Sequence, residues 1–179
     1  MLSGSPYQYC SRCGHDSMAA ISERQHVCNE CGYKHYITPF PAAGALILDA
    51  QERLLVTRRA HEPGLGKLGL PGGVVEPGET GEEAAARESR EEVGLDIPPS
   101  SFRYFISLPN WYWYQDYLWP TLDLFFLTQV ESFEHFSPCP AEVSEILLIP
   151  LGEVSLEDFA FDSNAEAVRR LQESRARLV

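Results

Sequence analysis

The sequence predicts an α/β domain preceded by a small N-terminal unit, and three observations support this prediction. The chain has 179 residues, enough for one ordinary domain and a short appendage. Four of the five cysteines precede residue 32, which sets residues 7–36 apart from residues 37–179. From residue 42 onward, strand-like apolar runs are interspersed with two helical patterns.

Turn signals order the first part of the larger unit. Residues 38–41 (TPFP) predict an extended connector, because proline restricts its own backbone and that of the residue before it. The apolar segments 45–48 and 54–57 flank a polar turn, which predicts a β-hairpin. Residues 65–81 are dense in glycine and proline, so we expect an ordered loop there.

A helix is expected directly after this loop. Thr80 and Glu83 have the spacing of a capping box, in which each side chain bonds the backbone of the other residue. The helix is predicted over residues 82–93, with Gly94 suited to the left-handed C-cap.

The remaining elements are three strands and a last helix. The strand-like segments are residues 102–108, 122–130 and 146–149. An amphipathic helix is predicted from Asn164 to about Arg175, since Val168 and Leu171 share a face. Ser163 and Glu166 suggest a second capping box at its start.

The charge balance restricts the possible partners. The chain carries 14 basic and 26 acidic residues, a formal net charge of -12, which disfavours long-range attraction to nucleic acid or anionic lipid. A phosphate-bearing ligand would need local cations or metal ions. No apolar run approaches the roughly 20 residues of a membrane span, and no basic segment with a following apolar stretch begins the chain. We expect a soluble cytoplasmic protein without a membrane partner.

The N-terminal unit contains two Cys-x-x-Cys pairs separated by 14 residues: Cys10, Cys13, Cys28 and Cys31. This spacing brings four thiolates to one tetrahedral Zn²⁺ and predicts a structural zinc ribbon at residues 7–36. Two disulfides are the alternative. Three nearby histidines are candidates to replace a cysteine ligand, although surface positions suit them better: His15, His26 and His35.

The predicted ribbon has no basic patch for nucleic acid. Three basic residues up to position 36 are balanced by three acidic ones. Contact with a partner or with a second copy of the chain is the more plausible role.

An acidic arc on the first helix suggests a metal site. At 100° per residue, Glu88, Glu91 and Glu92 fall within about 100° of one another around the helix. Hard cations such as Mg²⁺ or Mn²⁺ join such carboxylates to substrate phosphates. The alternative is a solvated surface with ion pairs four residues apart, for which Arg87 has suitable neighbours.

Residues 73–95 resemble the Nudix box, Gly-x5-Glu-x7-Arg-Glu-U-x-Glu-Glu-x-Gly-U, where U is aliphatic. All seven fixed identities are present: Gly73, Glu79, Arg87, Glu88, Glu91, Glu92 and Gly94. Ser89 stands where an aliphatic residue is usual, a departure that touches helix packing. The resemblance implies an α/β/α sandwich with a mixed sheet. It also implies hydrolysis of the diphosphate linkage in a nucleoside diphosphate derivative.

The resemblance further implies roles for individual residues. Glu88, Glu91 and Glu92 would bind Mg²⁺ or Mn²⁺, helped by the backbone carbonyl of Gly72. Arg87 and Glu79 would pair and brace the loop against the helix.

A general base must take the proton of the attacking water. Many Nudix proteins have an extra glutamate on the loop before the last strand, and residues 141–146 resemble that loop. Glu142 is the first candidate for base or added ligand and Glu145 the second. Glu91 or Glu92 could serve instead.

Arg58 and Arg59, at the end of the first hairpin, are candidate phosphate donors, with solvent-facing strand positions as the alternative.

A zinc ribbon before a Nudix domain is similar to the NADH pyrophosphatase branch of the superfamily. That branch has the motif SQPWPFP, whereas residues 107–113 here read SLPNWYW. Pro109 roughly fits a proline of members that act on ADP-ribose. Residues 111–119 are strongly aromatic and suit stacking on a base, a packed hairpin or a dimer interface.

The candidate substrates are therefore NADH, ADP-ribose, FAD and, as some relatives imply, a capped RNA end. A homodimer is expected. The alternative functions are a non-catalytic nucleotide sensor and a zinc-ribbon adaptor.

Overall fold

The computed structural model describes residues 7–133 and 136–176, so the last three residues of the predicted larger domain lie outside it. The described chain contains two separate sheets. A three-stranded sheet is formed before residue 37, and a seven-stranded sheet with two α-helices follows.

The N-terminal sheet is antiparallel and follows the chain order. Its strands are β1 (Met18–Ser22), β2 (Gln25–Cys28) and β3 (Lys34–Tyr36). β2 is the central strand and pairs with both neighbours. Cys28 ends β2 and is buried, which fixes one of the four clustered cysteines within the sheet.

The larger sheet is mixed. Its strands are β4 (Phe40–Leu48), β5 (Arg53–Arg59), β6 (Leu68–Gly69), β7 (Gly72–Val74), β8 (Arg103–Tyr114), β9 (Tyr117–Gln129) and β10 (Val143–Pro150). The main order is β10-β5-β4-β9-β8, while β6 pairs with β5 and β7 with β4. β4 and β9 are parallel, whereas the other pairs are antiparallel.

The helices α1 (Gly81–Val93) and α2 (Asp162–Ala176) cover opposite faces of this sheet. Side chains alternate along β4, so Leu46 and Leu48 pack with α2 while Ala45 and Ile47 pack with α1. The predicted α/β/α sandwich with a mixed sheet is therefore confirmed. Within residues 7–133 and 136–176, neither helix has the length and apolar character needed to cross a membrane.

The first hairpin is confirmed, and the connector before it is shorter than predicted. Leu48 pairs with Leu54 across the β4–β5 turn. Phe40 and Pro41, predicted as connector, already belong to β4. The reason is the parallel partner β9, which pairs with β4 from Phe40 onward and cannot be seen from local sequence.

The predicted loop at residues 65–81 contains the two short strands β6 and β7. Its glycines and prolines correctly indicate irregular backbone, but β5 and β4 offer hydrogen-bonding edges to the intervening residues. β7 thereby brings the start of the box segment directly against β4.

The first predicted capping box is confirmed. The Glu83 backbone N–H donates to Thr80 Oγ1 at 3.2 Å, and the Thr80 N–H donates to Glu83 Oε2 at 2.8 Å. Gly94 closes α1 in the left-handed conformation. Both ends of the helix that carries the acidic arc are therefore fixed by local hydrogen bonds.

The second predicted capping box is wrong. Ser163 lies inside α2, and its hydroxyl donates at 2.6 Å to the buried carboxylate of Asp123 on β9. Glu166 instead accepts from Arg169 and Arg170 on its own helix. A buried carboxylate needs donors, and this tertiary demand overrides the local capping pattern.

Replacing Thr80 with alanine is expected to lower the free energy of unfolding by about 1 kcal/mol, because one backbone donor of α1 loses its acceptor. Thr80→Ser keeps the hydroxyl and should stay close to wild type. Urea unfolding followed by circular dichroism measures the difference, and equal stability of the alanine and serine variants would contradict this account.

Candidate active site and cysteine cluster

A cavity of about 670 Å³ opens where α1, β7 and the β8–β9 hairpin meet. Its lining includes four glutamates, which are Glu88, Glu91, Glu92 and Glu142. It also includes six Phe, Tyr and Trp rings, of which Phe125 belongs to the core. We call the other five the aromatic wall: Phe40, Tyr112, Tyr114, Trp119 and Phe161. The volume is in the range of ordinary small-molecule sites, and the cavity combines acidic with aromatic groups.

Three of these glutamates form a tight group, which we call the acidic cluster: Glu88, Glu92 and Glu142. One carboxylate oxygen from each lies within 4.8 Å of the others. Glu88 and Glu92 are one helical turn apart on α1, while Glu142 comes from the segment just before β10. Oxygens on opposite sides of a Mg²⁺ ion are separated by about 4.2 Å, so the cluster is close to the size of an oxygen coordination shell.

Arg87 braces the cluster from one side. Its guanidinium donates to both carboxylate oxygens of Glu79, at 2.8 and 3.0 Å, and to Glu88 Oε1 at 2.7 Å. It also donates to the Val74 carbonyl at 3.1 Å. These bonds tie the box loop, β7 and α1 together. The Glu79 carboxylate raises the pKa of Arg87, and the guanidinium lowers the pKa of Glu79, as expected for a bidentate pair.

The nearby arginines do not fully offset the burial and mutual repulsion of the carboxylates in the acidic cluster. Burial and the charges of Glu88 and Glu142 raise the pKa of Glu92 to about 8, against a smaller lowering by Gly72 and Arg59. Burial likewise raises the pKa of Glu88, although Arg87 opposes this effect. A divalent cation would relieve both penalties, so the donor set fits such an ion.

Two glycines of β7 allow this close arrangement. A Cβ atom at Gly73 would overlap the Glu88 carboxylate, which explains why the box begins with glycine. A hydrogen bond from the Gly72 backbone lowers the pKa of the Glu92 carboxyl, against the larger effect of burial. The carbonyl role expected for Gly72 remains a prediction, and the residue lines the cavity.

The other predicted acids lie apart from the cluster. Among the described residues, the cluster does not include Glu91, whose half-exposed carboxylate is 3.3 Å from Arg87. Glu145 forms an ion pair with Arg58 at 2.8 Å across the β10–β5 pair. Glu142 is thus the loop acid that the fold brings to the α1 glutamates.

Of the two candidate arginines, Arg59 lines the cavity and Arg58 does not. Arg58 is held by Glu145 and by the Gly66 carbonyl, and it does not line the cavity. Arg59 lines the cavity. Its Nε donates to the Pro63 carbonyl at 2.6 Å, and its guanidinium carbon lies 5.0 Å from the Phe161 ring centre.

The β8–β9 hairpin has two different faces. Tyr112, Tyr114 and Trp119 point into the cavity, with the Tyr112 and Phe161 ring centres 5.7 Å apart. Trp111 and Trp113, the alternate residues, are exposed on the other face. A flat heteroaromatic ring would find stacking partners on the cavity face.

Sequence reasoning missed the polar residues on this face of the hairpin. Asn110, Thr121 and Asp123 line the cavity, and Asp123 is only 8% exposed. These polar residues alternate with apolar ones along β8 and β9, and this period of two in the sequence indicates strands with one polar face. The pairing partner of each strand was not available from the sequence.

The four N-terminal cysteines converge as predicted. Their sulfur atoms lie within 4.8 Å of one another. The Cys10–Cys31 and Cys13–Cys28 sulfurs are 3.7 and 3.6 Å apart. A disulfide requires about 2.05 Å, whereas thiolates on one tetrahedral Zn²⁺ are separated by about 3.8 Å. The cluster therefore fits a zinc ribbon rather than two disulfides.

Tight turns present these thiols. Gly14 and Gly32 follow the two pairs with positive φ values of 75° and 70°, which glycine adopts without strain. The Ser17 hydroxyl lies 3.1 Å from Cys28 Sγ, and this hydrogen bond, together with backbone hydrogen bonds at Cys31 and Glu30, lowers the pKa of that thiol to about 6. The thiolate form is the one that binds metal.

Comparison with protein families gives a match to the NUDIX domain over residues 38–171. Among solved structures, the NUDIX hydrolase of Nitrosomonas europaea superposes with a TM-score of 0.70 and 26% identity. That superposition covers 95% of this chain and 93% of the other. The NUDIX domain of Shewanella oneidensis NrtR, solved with ADP ribose, has a TM-score of 0.62 at 21% identity and shares the fold, covering 80% of this chain and 91% of that one.

Curated relatives include NAD-capped RNA hydrolases named NudC. The protein of Stutzerimonas stutzeri is 38% identical over 98 residues, which are 55% of this chain and 35% of that protein. The protein of Haemophilus influenzae is 35% identical over 104 residues, which are 58% of this chain and 39% of that protein. The aligned part thus spans less than half the length of these relatives.

The raised pKa of Glu92 predicts a pH-dependent stability in protein that carries zinc but no added Mg²⁺ or Mn²⁺. The folded chain keeps a proton on Glu92 up to about pH 8, while the unfolded chain releases it near the ordinary value of 4.5. The folded state binds more protons in this window, so stability falls as pH rises through it.

Thermal unfolding of wild type and Glu92→Gln at several pH values isolates this effect. The midpoint of the wild type is expected to fall relative to that of Glu92→Gln between about pH 5 and pH 8. Glu82→Gln changes an acid elsewhere on α1 and should keep the wild-type slope. A wild-type midpoint that runs parallel to that of Glu92→Gln would refute the raised pKa.

Proposed function

The chain belongs to the NUDIX domain family, and we propose that it is a metal-dependent pyrophosphohydrolase. Its substrate would be a nucleoside diphosphate derivative of the NADH, ADP-ribose or FAD class, and a nucleoside monophosphate would be released. The observation that carries this proposal is the acidic cluster, which opens into the same cavity as the aromatic wall.

Glu88, Glu92 and Glu142 would hold Mg²⁺ or Mn²⁺, because both ions prefer oxygen ligands. A bound divalent cation offsets charge on the bridging phosphates and makes a bound water more acidic. Arg87 holds the Glu88 carboxylate in place through its 2.7 Å bond, and the Glu79 pair keeps Arg87 from swinging away.

The proton of the attacking water needs an acceptor on this chain. Glu91, Glu92 and Glu142 all line the cavity, but Glu91 lies outside the acidic cluster and is engaged by Arg87. Glu142 is exposed and lies on a loop, so it can approach a substrate without disturbing α1. We assign Glu142 as base or added ligand, and Glu92 replaces Glu145 as the second candidate, because Glu145 is paired with Arg58.

Arg59 and the aromatic wall would position the substrate. The Nη atoms of Arg59 suit a phosphate, since its Nε already holds the Pro63 carbonyl and thereby orients the guanidinium. Tyr112 and Phe161 would stack on a base. A nicotinamide-capped RNA end is a further candidate, supported by the names of the curated relatives.

The cysteine cluster would bind one structural Zn²⁺. Its four sulfurs have tetrahedral spacing, and a segment of about thirty residues has too little core to fold without such a link. The zinc site is closed by four thiolates and would take no part in the reaction.

The outer face of the β8–β9 hairpin supports a homodimer. Its exposed apolar side chains are neighbours across the two strands: Trp111, Trp113, Leu118 and Leu122. Contiguous exposed apolar surface of this kind marks association sites more often than free surface. A second copy of the chain would bury it.

Hydrolysis of ADP-ribose, NADH and FAD with Mg²⁺ tests the proposed activity. The wild type should release AMP from at least one of them, and Glu92→Gln should lower the rate by about a hundredfold or more, because both a metal ligand and a candidate base are lost. Release of AMP that does not need a divalent ion would contradict the proposal, as would full activity of Glu92→Gln.

Glu142→Gln and Glu145→Gln form a matched pair on the same segment. Glu142→Gln should lower kcat by about a hundredfold. Glu145→Gln loses only the surface ion pair with Arg58 and should remain within about twofold of wild type. The reverse ranking would show that the loop acid was assigned wrongly.

Elemental analysis should find one zinc per chain in the wild type. Cys28→Ser should lose that zinc and unfold at lower temperature, because β2 loses its buried ligand. Cys139→Ser removes the cysteine outside the cluster and should keep both the zinc and the stability. Iron in place of zinc, or disulfides found by mass spectrometry, would overturn the ribbon assignment.

A further inference from the structure

A carboxylate on the cavity face of β9 is surrounded by neutral donors. Asp123 accepts from Asn110 Nδ2 at 3.0 Å, from the Thr121 hydroxyl at 2.7 Å and from the Ser163 hydroxyl at 2.6 Å. These donors come from β8, β9 and α2. None of them belongs to the acidic cluster, and the NUDIX box does not contain them.

This network fixes the orientation of the Asn110 side-chain amide. With Nδ2 donating to Asp123, the Oδ1 atom lies on the other side of the amide and is an acceptor. The flipped amide would place Oδ1 against the carboxylate, so that two acceptors would face each other. Asn110 lines the cavity, and the Asp123 carboxylate keeps its acceptor oxygen from readily exchanging places with Nδ2.

The position of Asn110 matches the edge of a stacked ring. Asn110 and Tyr112 are two residues apart on β8, so their side chains project from the same face about 7 Å apart along the strand. Tyr112 and Phe161 are the neighbouring rings of the aromatic wall. A base that stacks on Tyr112 would turn one edge toward Asn110.

We infer that Asn110, oriented by Asp123, selects nucleotides whose base carries an exocyclic –NH2 group, as in adenine or the carboxamide of nicotinamide. This inference rests on the proposed function for the identity of the ligand class. Asn110 is the residue that contacts the base, and Asp123 is a positioning residue.

The selection follows from hydrogen-bond complementarity. If the base had a carbonyl or carboxylate at that position, its oxygen would face Asn110 Oδ1. Both oxygens are acceptors, so neither would receive a hydrogen bond from the other. A carboxylate, as in nicotinic acid, would also meet the negative charge of Asp123. Sites that read a single polar group in this way discriminate by tenfold or more.

Calorimetric binding of mononucleotides tests this without requiring turnover. AMP is compared with IMP, and nicotinamide mononucleotide with nicotinic acid mononucleotide. The wild type should prefer the –NH2 member of at least one pair by about tenfold or more. The pair that shows the preference identifies the base that occupies the site.

Three variants separate reading of the base from general damage to the cavity. Asn110→Ala should reduce the preference to about twofold or less, mainly by lowering the affinity for the ligand that carries the –NH2 group. Asp123→Asn should reduce the preference by raising the affinity for IMP or nicotinic acid mononucleotide, because the Asn110 amide can then flip and donate. Asn164→Ala removes another cavity-lining amide and should keep the preference. If Asp123 only stabilised the fold, Asp123→Asn would not raise the affinity for any of these ligands.

Equal binding within both pairs, or an unchanged preference in Asn110→Ala, would overturn the inference. So would loss of the preference in Asn164→Ala alone. The hydrolysis assay with ADP-ribose separates this result from the proposed function. A binding preference without hydrolysis keeps the inference and refutes the enzyme, while hydrolysis with equal binding refutes the inference alone.

Discussion

The half-buried guanidinium of Arg87 is the interaction on which the site depends. It joins Glu79 of the box loop, the Val74 carbonyl at the end of β7 and Glu88 on α1. One cation thereby fixes the loop and the acidic face of the helix together. Arg87 opposes the rise in the pKa of Glu88 that burial causes, while burial and the neighbouring carboxylates raise the pKa of Glu92 to about 8.

Alternation along the strands directs some side chains of the sheet into the two cores and others into the cavity. Alternation along β4 sends successive residues to the α1 core and the α2 core, which closes the sandwich. The same alternation along β8 and β9 places a polar and aromatic face in the cavity and an apolar face outside. The cavity thus combines α1 carboxylates with hairpin rings, and this pairing suits a ligand that has phosphates at one part and a base at another.

The sequence predicted what is local and missed what depends on strand pairing. The capping box of Thr80 and the cysteine knuckles lie within short segments, and the structure shows both. Of the acidic arc, Glu88 and Glu92 belong to the acidic cluster, whereas Glu91 lies beside Arg87. Ser163 was misread because its partner, Asp123, is 40 residues away. The sequence does not distinguish Arg58 from Arg59, whereas the fold pairs Arg58 with Glu145 across β5 and β10 and places Arg59 at the cavity. The network of Asn110 was invisible for the same reason.

Anomalous diffraction from crystals soaked in Mn²⁺ tests most directly whether the acidic cluster binds a divalent cation. We expect a manganese peak between the carboxylates of Glu88, Glu92 and Glu142, with Arg87 still bonded to Glu79. A soaked crystal without a peak at these carboxylates, or with manganese bound only elsewhere on the surface, would contradict it.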